Sequence, residues 1–549
     1  MNSLNNKKDW TIYFLIVGSI ITWAYSMIRS SPEMGDFGLV HALHPSYFIS
    51  MAMLLISFIL ALTKKQNTRI FFIIILLLNI ILFLTPAIIE QTARFRFAYK
   101  VYGFAEYIIR NGNFNPNMIW YHGWPGAFLI ISMISDIVKQ NDDFLFLMYF
   151  PFIIQILYFF PLYIFLKSLF QDDKKVWIGV WIFYIINFIN QDYMSPQAFA
   201  YLYYLILLSI IVKMTNIGGI DNNGNYKNYI PYKFVSVILI AGLTIIHMMT
   251  PMIILSIICF AALFNKSSRK DLLKFALVLT IIMIAWVIYG AYVYLDWHLV
   301  DFFQKFLQSD SYTQNVQQRV TGSSAHLIVT RLMIFTTLIS GGFAIIGIML
   351  SYFRKDNIFK TNIRTFYMIG GILMLTNSPY GGEMIMRIFL FMLPFLSFFI
   401  AQIFVSKAKI ILILFLIIMT PLNIVTHYGN EKYDYVSKAE LTSFDFYYKN
   451  ADYRNITGGY PITFYKFAEK FNFVKFQELK DIKWDGSKYS KEEYSDNNIM
   501  ITRGDKELLT IFANDTDYIK NIEKNLKNSN NYQYVYANGD SNLYLINSK

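Results

Sequence analysis

Residues 89–126 read IEQTARFRFAYKVYGFAEYIIRNGNFNPNMIWYHGWPG, the longest polar interruption in the hydrophobic part of the chain. The stretch begins where an apolar run ends, and it opens with the acid Glu90, followed by Arg94, Arg96 and Lys100 among aromatic residues. A carboxylate beside three cations at a membrane surface can handle a phosphate-bearing lipid, although basic residues in an ordinary loop also contact lipid headgroups.

Two further features of this stretch predict local structure. Phe104, Ile108 and Ile109, set against Glu106 and Arg110, have the spacing of a short amphipathic helix that lies on the membrane surface. The apolar run 126–138 that follows is too short to cross a bilayer core of about 30 Å. We therefore expect it to be a re-entrant or in-plane helix on the same side of the membrane.

The composition is that of a polytopic membrane protein. Of 549 residues 55% are hydrophobic and 18% aromatic, and apolar runs of about 20 residues are typical of transmembrane helices. The net charge is +12, but the tail from His427 has 17 Lys and Arg against 18 Asp and Glu. The surplus therefore lies in the first 426 residues, as in cytoplasmic loops, and it is no evidence for nucleic acid binding. A single cysteine, Cys259, excludes an intrachain disulfide.

About thirteen membrane spans are predicted, and the charges of the loops between them predict the topology. We expect no cleavable signal, because the first apolar run is long enough to remain as an anchor. With a cytoplasmic N-terminus and a re-entrant 126–138 segment, every cytoplasmic loop is basic, as the positive-inside rule requires. The predicted spans are 11–28, 45–62, 70–88, 144–168, 176–190, 196–214, 233–247, 250–265, 272–294, 329–352, 365–377, 386–404 and 408–426.

The sequence thus predicts two domains in a multi-pass protein of the plasma membrane. Residues 1–426 would form the helical membrane domain, with an outer-face loop at 89–143. Residues 427–549 mix helix-like with strand-like runs and would form a small α/β domain outside the cell. Asn538-Gly539 between alternating apolar residues predicts a hairpin in that domain.

Loops on the predicted outer face contain ionisable residues near the ends of spans, where such groups often mark functional sites. Asp192 precedes Tyr193 and Gln197, His247 lies in a very short turn, and Glu383 is four residues before Arg387. Each has an ordinary structural interpretation as well: a helix cap, a buried structural histidine or a local ion pair. Their restriction to one face, with only Lys and Arg in the inner turns, favours an active site.

Transfer from a lipid phosphate is the chemistry that fits these residue types. Arg94, Arg96 and Arg387 are the predicted phosphate ligands, with Lys100 secondary. Glu90 is the predicted general base. Asp192 would assist it as acceptor orienter or as ligand of a divalent metal, Mg or Mn, and Glu383 would orient Arg387. Further candidate substrate contacts are His122, Trp124, Tyr193, Gln197, His247 and Asp36.

The layout resembles the GT-C superfamily of membrane glycosyltransferases. The resemblance rests on the acid after an early span (Glu90), the aromatic-Pro segment WYHGWPG before a short helix, a second acid after a later span (Asp192), and an outward C-terminal domain. The segments QDYMSPQ, HMMTP and GGEMIMRIFLFMLP are similar to multispan bacterial and archaeal proteins identified as glycosyltransferases. An additional N-terminal hairpin brings its own acids, so Asp36 is the alternative to Glu90 as base.

The resemblance implies a GT-C-like enzyme that moves a sugar from a polyprenyl-phosphate donor to a cell-surface glycan, lipid or protein on the outer face. A lipid-linked glycan polymerase or ligase is an alternative. A flippase or transporter of a lipid-linked glycan is another, and it predicts polar residues at mid-depth in the bundle, where the sequence has few. A scaffold for the outer domain would leave the one-sided ionisable turns unexplained.

Overall fold

A computed structural model describes most of the chain. The described residues are 10–64, 67–117, 120–138, 144–216, 230–266, 268–294, 321–354, 358–377, 384–405, 408–450, 455–459, 462, 475–477, 483–484, 489–490, 497–513 and 517–547.

Among the described residues up to 428, the regular elements are helices. The helices are α1 (Trp10–Arg29), α2 (Leu39–Ala42), α3 (Ser46–Thr63), α4 (Thr68–Asn79), α5 (Thr85–Glu90), α6 (Arg96–Asn111), α7 (Gly126–Val138), α8 (Phe144–Leu169), α9 (Asp173–Ile186), α10 (Pro196–Asn216), α11 (Ile230–Ile246), α12 (Met249–Phe264), α13 (Arg269–Tyr289), α14 (Ser324–Phe353), α15 (Ile358–Leu373), α16 (Met384–Ala401) and α17 (Lys409–Tyr428). A π-helical turn, Ile80–Leu84, joins α4 to α5, and short 3-10 turns occupy Trp120–Gly123 and Met374–Asn377.

Each of the thirteen predicted spans overlaps a helix. Among the described residues, eight helices are long and apolar enough to cross a membrane, and four shorter apolar helices accompany them. The chain is therefore a multi-pass membrane protein. The α9 helix lies at the centre of the bundle, where Trp177 and Trp181 are fully buried and stack on Phe71 and Phe58.

The segment 89–143 departs from expectation in one respect. The α7 helix has the predicted limits, but α6 begins at Arg96 and is two turns longer than the amphipathic pattern suggested. Most of its side chains are buried, because it packs on α7 and is joined at Arg96 to the C-terminal part of the chain. It is therefore an internal element of the protein and not a helix resting only on lipid.

The C-terminal part forms a small α/β structure. Its helices are α18 (Glu431–Asp434), α19 (Lys438–Asn450), α20 (Arg503–Leu508), followed by a π-helical turn at Leu509–Ala513, and α21 (Asp517–Asn528). Its strands are β1 (Asn455–Thr457), β2 (Lys475–Gln477), β3 (Lys483–Trp484), β4 (Tyr489–Ser490), β5 (Asn498–Thr502), β6 (Tyr532–Ala537) and β7 (Ser541–Ile546).

Five strands make one sheet in the order β2-β1-β5-β7-β6, while β3 and β4 pair separately. The first three strands of that sheet are parallel, and β7 runs antiparallel to both β5 and β6. The predicted hairpin at Asn538-Gly539 is confirmed as the β6–β7 turn, where Gly539 has φ +88°. A glycine suits this turn because other residues rarely adopt positive φ.

Candidate functional site

The site is built on the short link that follows α5. Gln91 has φ +55° and ends the helix, after which the chain runs to α6 at Arg96. Alternate side chains of this link reach the same partner segment: Thr92 donates to the carbonyl of Val436 (2.6 Å), and Arg94 and Arg96 contact acids beyond α17. The link therefore ties the end of a membrane span to residues more than 330 positions later.

Arg94 lies at the centre of the site and is only 3% exposed. Its Nε and Nη2 donate to the two carboxylate oxygens of Glu431 at 2.9 and 2.8 Å, the paired geometry that guanidinium and carboxylate groups favour. Its Nη1 lies 2.9 Å from Nε2 of His427, and its Nη2 also donates to the His427 carbonyl. The Tyr428 ring packs against the guanidinium, with its centroid 4.9 Å from Cζ. Most of the Arg94 donors are thus used within the protein.

Asp192 is the second acid beside Arg94. Its Oδ1 is 3.5 Å from Arg94 Nη1, and its Oδ2 accepts from the Gln155 amide at 3.4 Å. Burial raises the pKa of Asp192, while Arg94 and Gln155 act in the opposite direction. For Arg94, burial alone would lower the pKa, but the charges of Glu431 and Asp192 outweigh it and raise the pKa above its ordinary value. Arg94 therefore stays protonated, and the carboxylates of Glu431 and Asp192 lie beside its positive charge.

Glu90 completes what we call the Arg94 cluster: Glu90, Arg94, Asp192, His427 and Glu431. It is the last residue of α5 and is 2% exposed. Glu431 and Arg94 are close enough for their charges to act on it. Neither of its carboxylate oxygens has a hydrogen-bond partner among the residues that the structure describes. Because no donor stabilises its ionised form directly, this carboxylate is suited to accept a proton.

The predicted metal role of Asp192 does not fit this arrangement. In the described part of the chain no three His, Cys, Asp or Glu side chains are grouped so that they could hold a metal ion. The guanidinium of Arg94 occupies the place between Asp192 and Glu431 where a cation would have to bind.

Arg96 and Lys100 lie outside the Arg94 cluster. Arg96 is fully buried, and its Nη2 donates to Glu440 at 2.9 Å and to Thr502 at 3.3 Å, so it joins α6 to the C-terminal part of the chain. Lys100 Nζ lies over the Tyr121 and Phe104 rings, 5.3 and 5.9 Å from their centroids. The structure thus separates the three cations that the sequence places together.

His122 has its partners within the segment 89–143, and Trp124 packs on a residue after α13. Nδ1 of His122 accepts from the backbone N–H of Asn115 at 3.0 Å, and its Nε2 lies 3.3 Å from the Phe104 carbonyl. Burial lowers the pKa of His122 to about 4. The Trp124 ring meets Tyr294 edge-on. These contacts hold the loop in place, and the proposal that either residue contacts substrate has no support from them.

A second polar group surrounds Arg387, which donates to the Gln197 side-chain carbonyl at 3.2 Å. His247 is buried and lies near enough to Arg387 for the charge of the guanidinium to act on its ring. Nδ1 of His247 accepts from the backbone N–H groups of Met249 and Thr250, so the proton of the neutral ring is on Nε2. A guanidinium and an imidazole N–H that lie close together can both donate hydrogen bonds to an anion. Glu383, the expected partner of Arg387, lies outside the described residues.

The remaining predicted contacts are placed as follows. Tyr193 packs against Phe95, which neighbours Arg94, with ring centroids 5.2 Å apart. Asp36 is exposed in a loop that lies beside the Arg94 cluster. Gly38 of that loop, with φ +52°, approaches the backbone of Tyr428 and Glu431 so closely that a side chain there would collide with it. The N-terminal hairpin is therefore packed on the site without placing Asp36 inside it.

A cavity of about 510 Å³ opens beside the link after α5. Ala87 and Ile88 of α5 and Met148 of α8 supply apolar wall, and Lys438 Nζ donates to the side chain of Gln91 at 2.7 Å at its polar end. A molecule that has both an apolar chain and a polar head could therefore come within a few residues of Glu90.

Sequence reasoning missed His427, Glu431 and Gln155. The first two were assigned to the beginning of the tail, although α17 continues to Tyr428 and Glu431 follows within three residues. The argument that singled out Glu90, an acid directly after a span, applies equally to Glu431 and could have found it. Gln155 is a lone amide inside an apolar run, and its distance in sequence from Asp192 leaves no such signal.

The solved structures similar to this chain include two of the oligosaccharyltransferase of Archaeoglobus fulgidus. The complex with Zn and sulfate has a TM-score of 0.48 and 12% identity, and the match covers 87% of this chain and 73% of that one. The second, tethered through a disulfide to an acceptor peptide with the NVT sequon, has a TM-score of 0.44 and 11% identity over 99% and 74%. No protein-family model and no curated protein matches the chain.

At these TM-scores the likeness has no bearing on catalytic residues, substrate or acceptor.

Proposed function

We propose that this protein is a membrane glycosyltransferase that moves a sugar from a polyprenyl-phosphate donor to a hydroxyl-bearing acceptor of the cell surface. The observation that supports it most is the state of Glu90, a buried carboxylate without hydrogen-bond donors beside a saturated Arg94–Glu431 pair. A group in this environment can remove the proton of an acceptor hydroxyl, and general bases of this kind contribute about 10²–10⁴ in rate.

The Arg94 cluster acts on the acceptor, and the polar group around Arg387 acts on the donor phosphate. Glu90 takes the proton as the acceptor oxygen forms its bond to the anomeric carbon of the sugar. The bond from that carbon to the phosphate oxygen breaks, and the electron pair leaves with the polyprenyl phosphate. Arg387, with the Nε2–H of His247 beside it, is proposed to bind that phosphate, and Asp192 orients the acceptor.

Three features support this assignment. Arg387 and His247, whose neutral ring carries its proton on Nε2, offer a guanidinium and an N–H donor to one anion. Asp192 and Gln197, one in each polar group, are five residues apart on the segment that enters α10. The orientation, with this site and the C-terminal domain outside the cell, is proposed from the loop charges.

A transfer assay with the purified protein in proteoliposomes tests the proposal. Polyprenyl-phosphate sugars and a bacterial envelope extract are supplied, and release of polyprenyl phosphate together with labelled sugar on the acceptor is measured. Transfer is expected. Movement of intact donor between leaflets without sugar release would support the flippase alternative and contradict the proposal.

The phosphate assignment has its own matched pair of variants. Arg387→Lys keeps the charge but loses the paired donors, so the KM for donor should rise. Arg331→Lys changes an exposed arginine of α14 and should leave the KM unchanged. An Arg387→Lys protein with wild-type donor affinity would remove Arg387 from the phosphate site.

A further inference from the structure

The span that ends at Glu90 is interrupted by a π-helical turn, Ile80–Leu84, between α4 and α5. Such a turn holds one residue more than an α-helical turn and occurs often at functional sites. Each residue of an α-helix turns the chain by about 100°. The extra residue therefore decides which way every later side chain of the span points, including Glu90 six residues after the turn.

Two tyrosine hydroxyls from other helices hold this turn. Tyr47 of α3 donates to the Ile81 carbonyl at 3.0 Å, and Tyr428 of α17 donates to the Leu82 carbonyl. Thr85 also donates to the Ile81 carbonyl, at 2.7 Å, and accepts from the Trp23 indole. Both tyrosines are fully buried. A π-helical turn disturbs the regular helix ladder, and carbonyls in a dry interior are costly to leave without a donor.

Tyr428 connects the turn to the site. Its hydroxyl reaches the π-helical turn, while its ring packs against the guanidinium of Arg94. Its neighbours in sequence, His427 and Glu431, are the residues that bind Arg94. The C-terminal end of α17 thus contacts both the π-helical turn that precedes Glu90 and the guanidinium of Arg94.

We propose that Tyr47 and Tyr428 are positioning residues for Glu90: their hydroxyls stabilise the π-helical turn whose register directs the Glu90 carboxylate at the acceptor. The inference rests on the proposed function, in which Glu90 is the base. Neither tyrosine touches substrate, and both act through the carbonyls of Ile81 and Leu82.

Tyr47→Phe and Tyr428→Phe test this, because each keeps the ring and removes only the hydroxyl. We expect kcat to fall about tenfold or more, since small misplacements of a reacting group are costly, with the donor KM unchanged. The acidic limb of the pH profile of kcat should also move, because Glu90 changes its surroundings. Tyr204→Phe is the matched control: Tyr204 is equally buried and donates to the Phe391 carbonyl at 2.6 Å. Its kcat and pH profile should be those of the wild type.

Modification of Glu90 by a hydrophobic carbodiimide, followed by peptide mass spectrometry, gives a second readout that needs no activity. Release of the turn should let Glu90 leave its enclosed position and react faster in Tyr47→Phe and Tyr428→Phe than in Tyr204→Phe. Equal rates in all three variants would overturn the inference, as would wild-type kcat in both site variants. A wild type that transfers no sugar would refute the proposed function instead, while the carbodiimide rates still decide the role of the tyrosines.

Discussion

Arg94 contacts three ionisable side chains of the site and stabilises the carboxylates among them. An arginine at a membrane surface is first considered as a phosphate ligand, but here its guanidinium is bound by Glu431 and approached by Asp192 and His427. Breaking a buried pair of this kind costs several kcal/mol because the remaining charge has no partner. Arg94 is therefore better suited to fix the carboxylates around Glu90 than to bind and release a substrate.

His122 gives a prediction of pH dependence at the same scale. Burial lowers its pKa to about 4, whereas in the unfolded chain it titrates near its ordinary value of 6.5. Between these values the unfolded state binds more protons, so the free energy of unfolding should fall as the pH drops from 6.5 to 4, by roughly 3 kcal/mol. Unfolding in detergent, followed by tryptophan fluorescence across this pH range, measures it.

The control is His122→Gln, which retains an acceptor for the Asn115 N–H but does not titrate. Its pH dependence over this range should be weaker than that of the wild type. An identical pH dependence in the two proteins would show that His122 titrates normally in the folded state.

At the scale of elements, the link between α5 and α6 marks the limit of what the sequence predicted. The length of the apolar run 126–138 predicted the limits of α7, which the structure confirms. The sequence also singled out Glu90 and Asp192, and the charge of Arg94 acts on both. The pairing of Arg94 with His427 and Glu431 could not be predicted, because they are 333 and 337 residues away and no local pattern encodes that pairing. The burial of α6 could not be predicted for the same reason, because it depends on contacts with residues far along the chain.

The joint between α6 and the C-terminal part of the chain rests on Arg96 and Glu440, both almost fully buried. Arg96→Met keeps the length of the side chain but leaves Glu440 short of a partner, so the free energy of unfolding should fall by roughly 3 kcal/mol. Hydrogen exchange should rise in α6 and α20 together, since Arg96 also contacts Thr502.

Lys520→Met is the comparison, because it removes an exposed ion pair with Asp517 and should cost no more than about 1 kcal/mol. Equal losses in the two variants would mean that the Arg96–Glu440 pair does not join the two parts of the chain.

For the whole molecule, the sequence predicted where the helices lie but not how deeply each is buried. Apolar runs identify α1 and α9 equally well, yet most of α1 is exposed while every α9 residue from Val176 to Ile186 is buried. Hydropathy measures only preference for an apolar setting, and lipid and protein interior are equally apolar. The π-helical turn at Ile80–Leu84 was unpredictable for a similar reason, since its sequence is a plain apolar run.

The loop charges predict that the C-terminal domain and the end of α14 lie on opposite sides of the membrane. In a Cys259→Ala background, cysteine is introduced at the exposed Lys520 of α21 or the exposed Arg354 at the end of α14. A membrane-impermeant maleimide should label the first in intact cells and the second only after permeabilisation, since loop charges predict those sides. The reverse result would place the C-terminal domain in the cytoplasm.

The role of Glu90 is the central claim, and one measurement tests it directly: single-turnover sugar transfer, with donor binding measured on the same preparation. Glu90→Gln keeps the size of the side chain and removes its basicity, so transfer should slow by about 10²–10⁴ while donor affinity is unchanged. The control is Glu106→Gln, which replaces the buried acid of α6 that pairs with Arg110. This variant should transfer sugar at the wild-type rate. Normal transfer by Glu90→Gln, with Asp36→Asn inactive, would contradict the account and assign the base to the N-terminal hairpin.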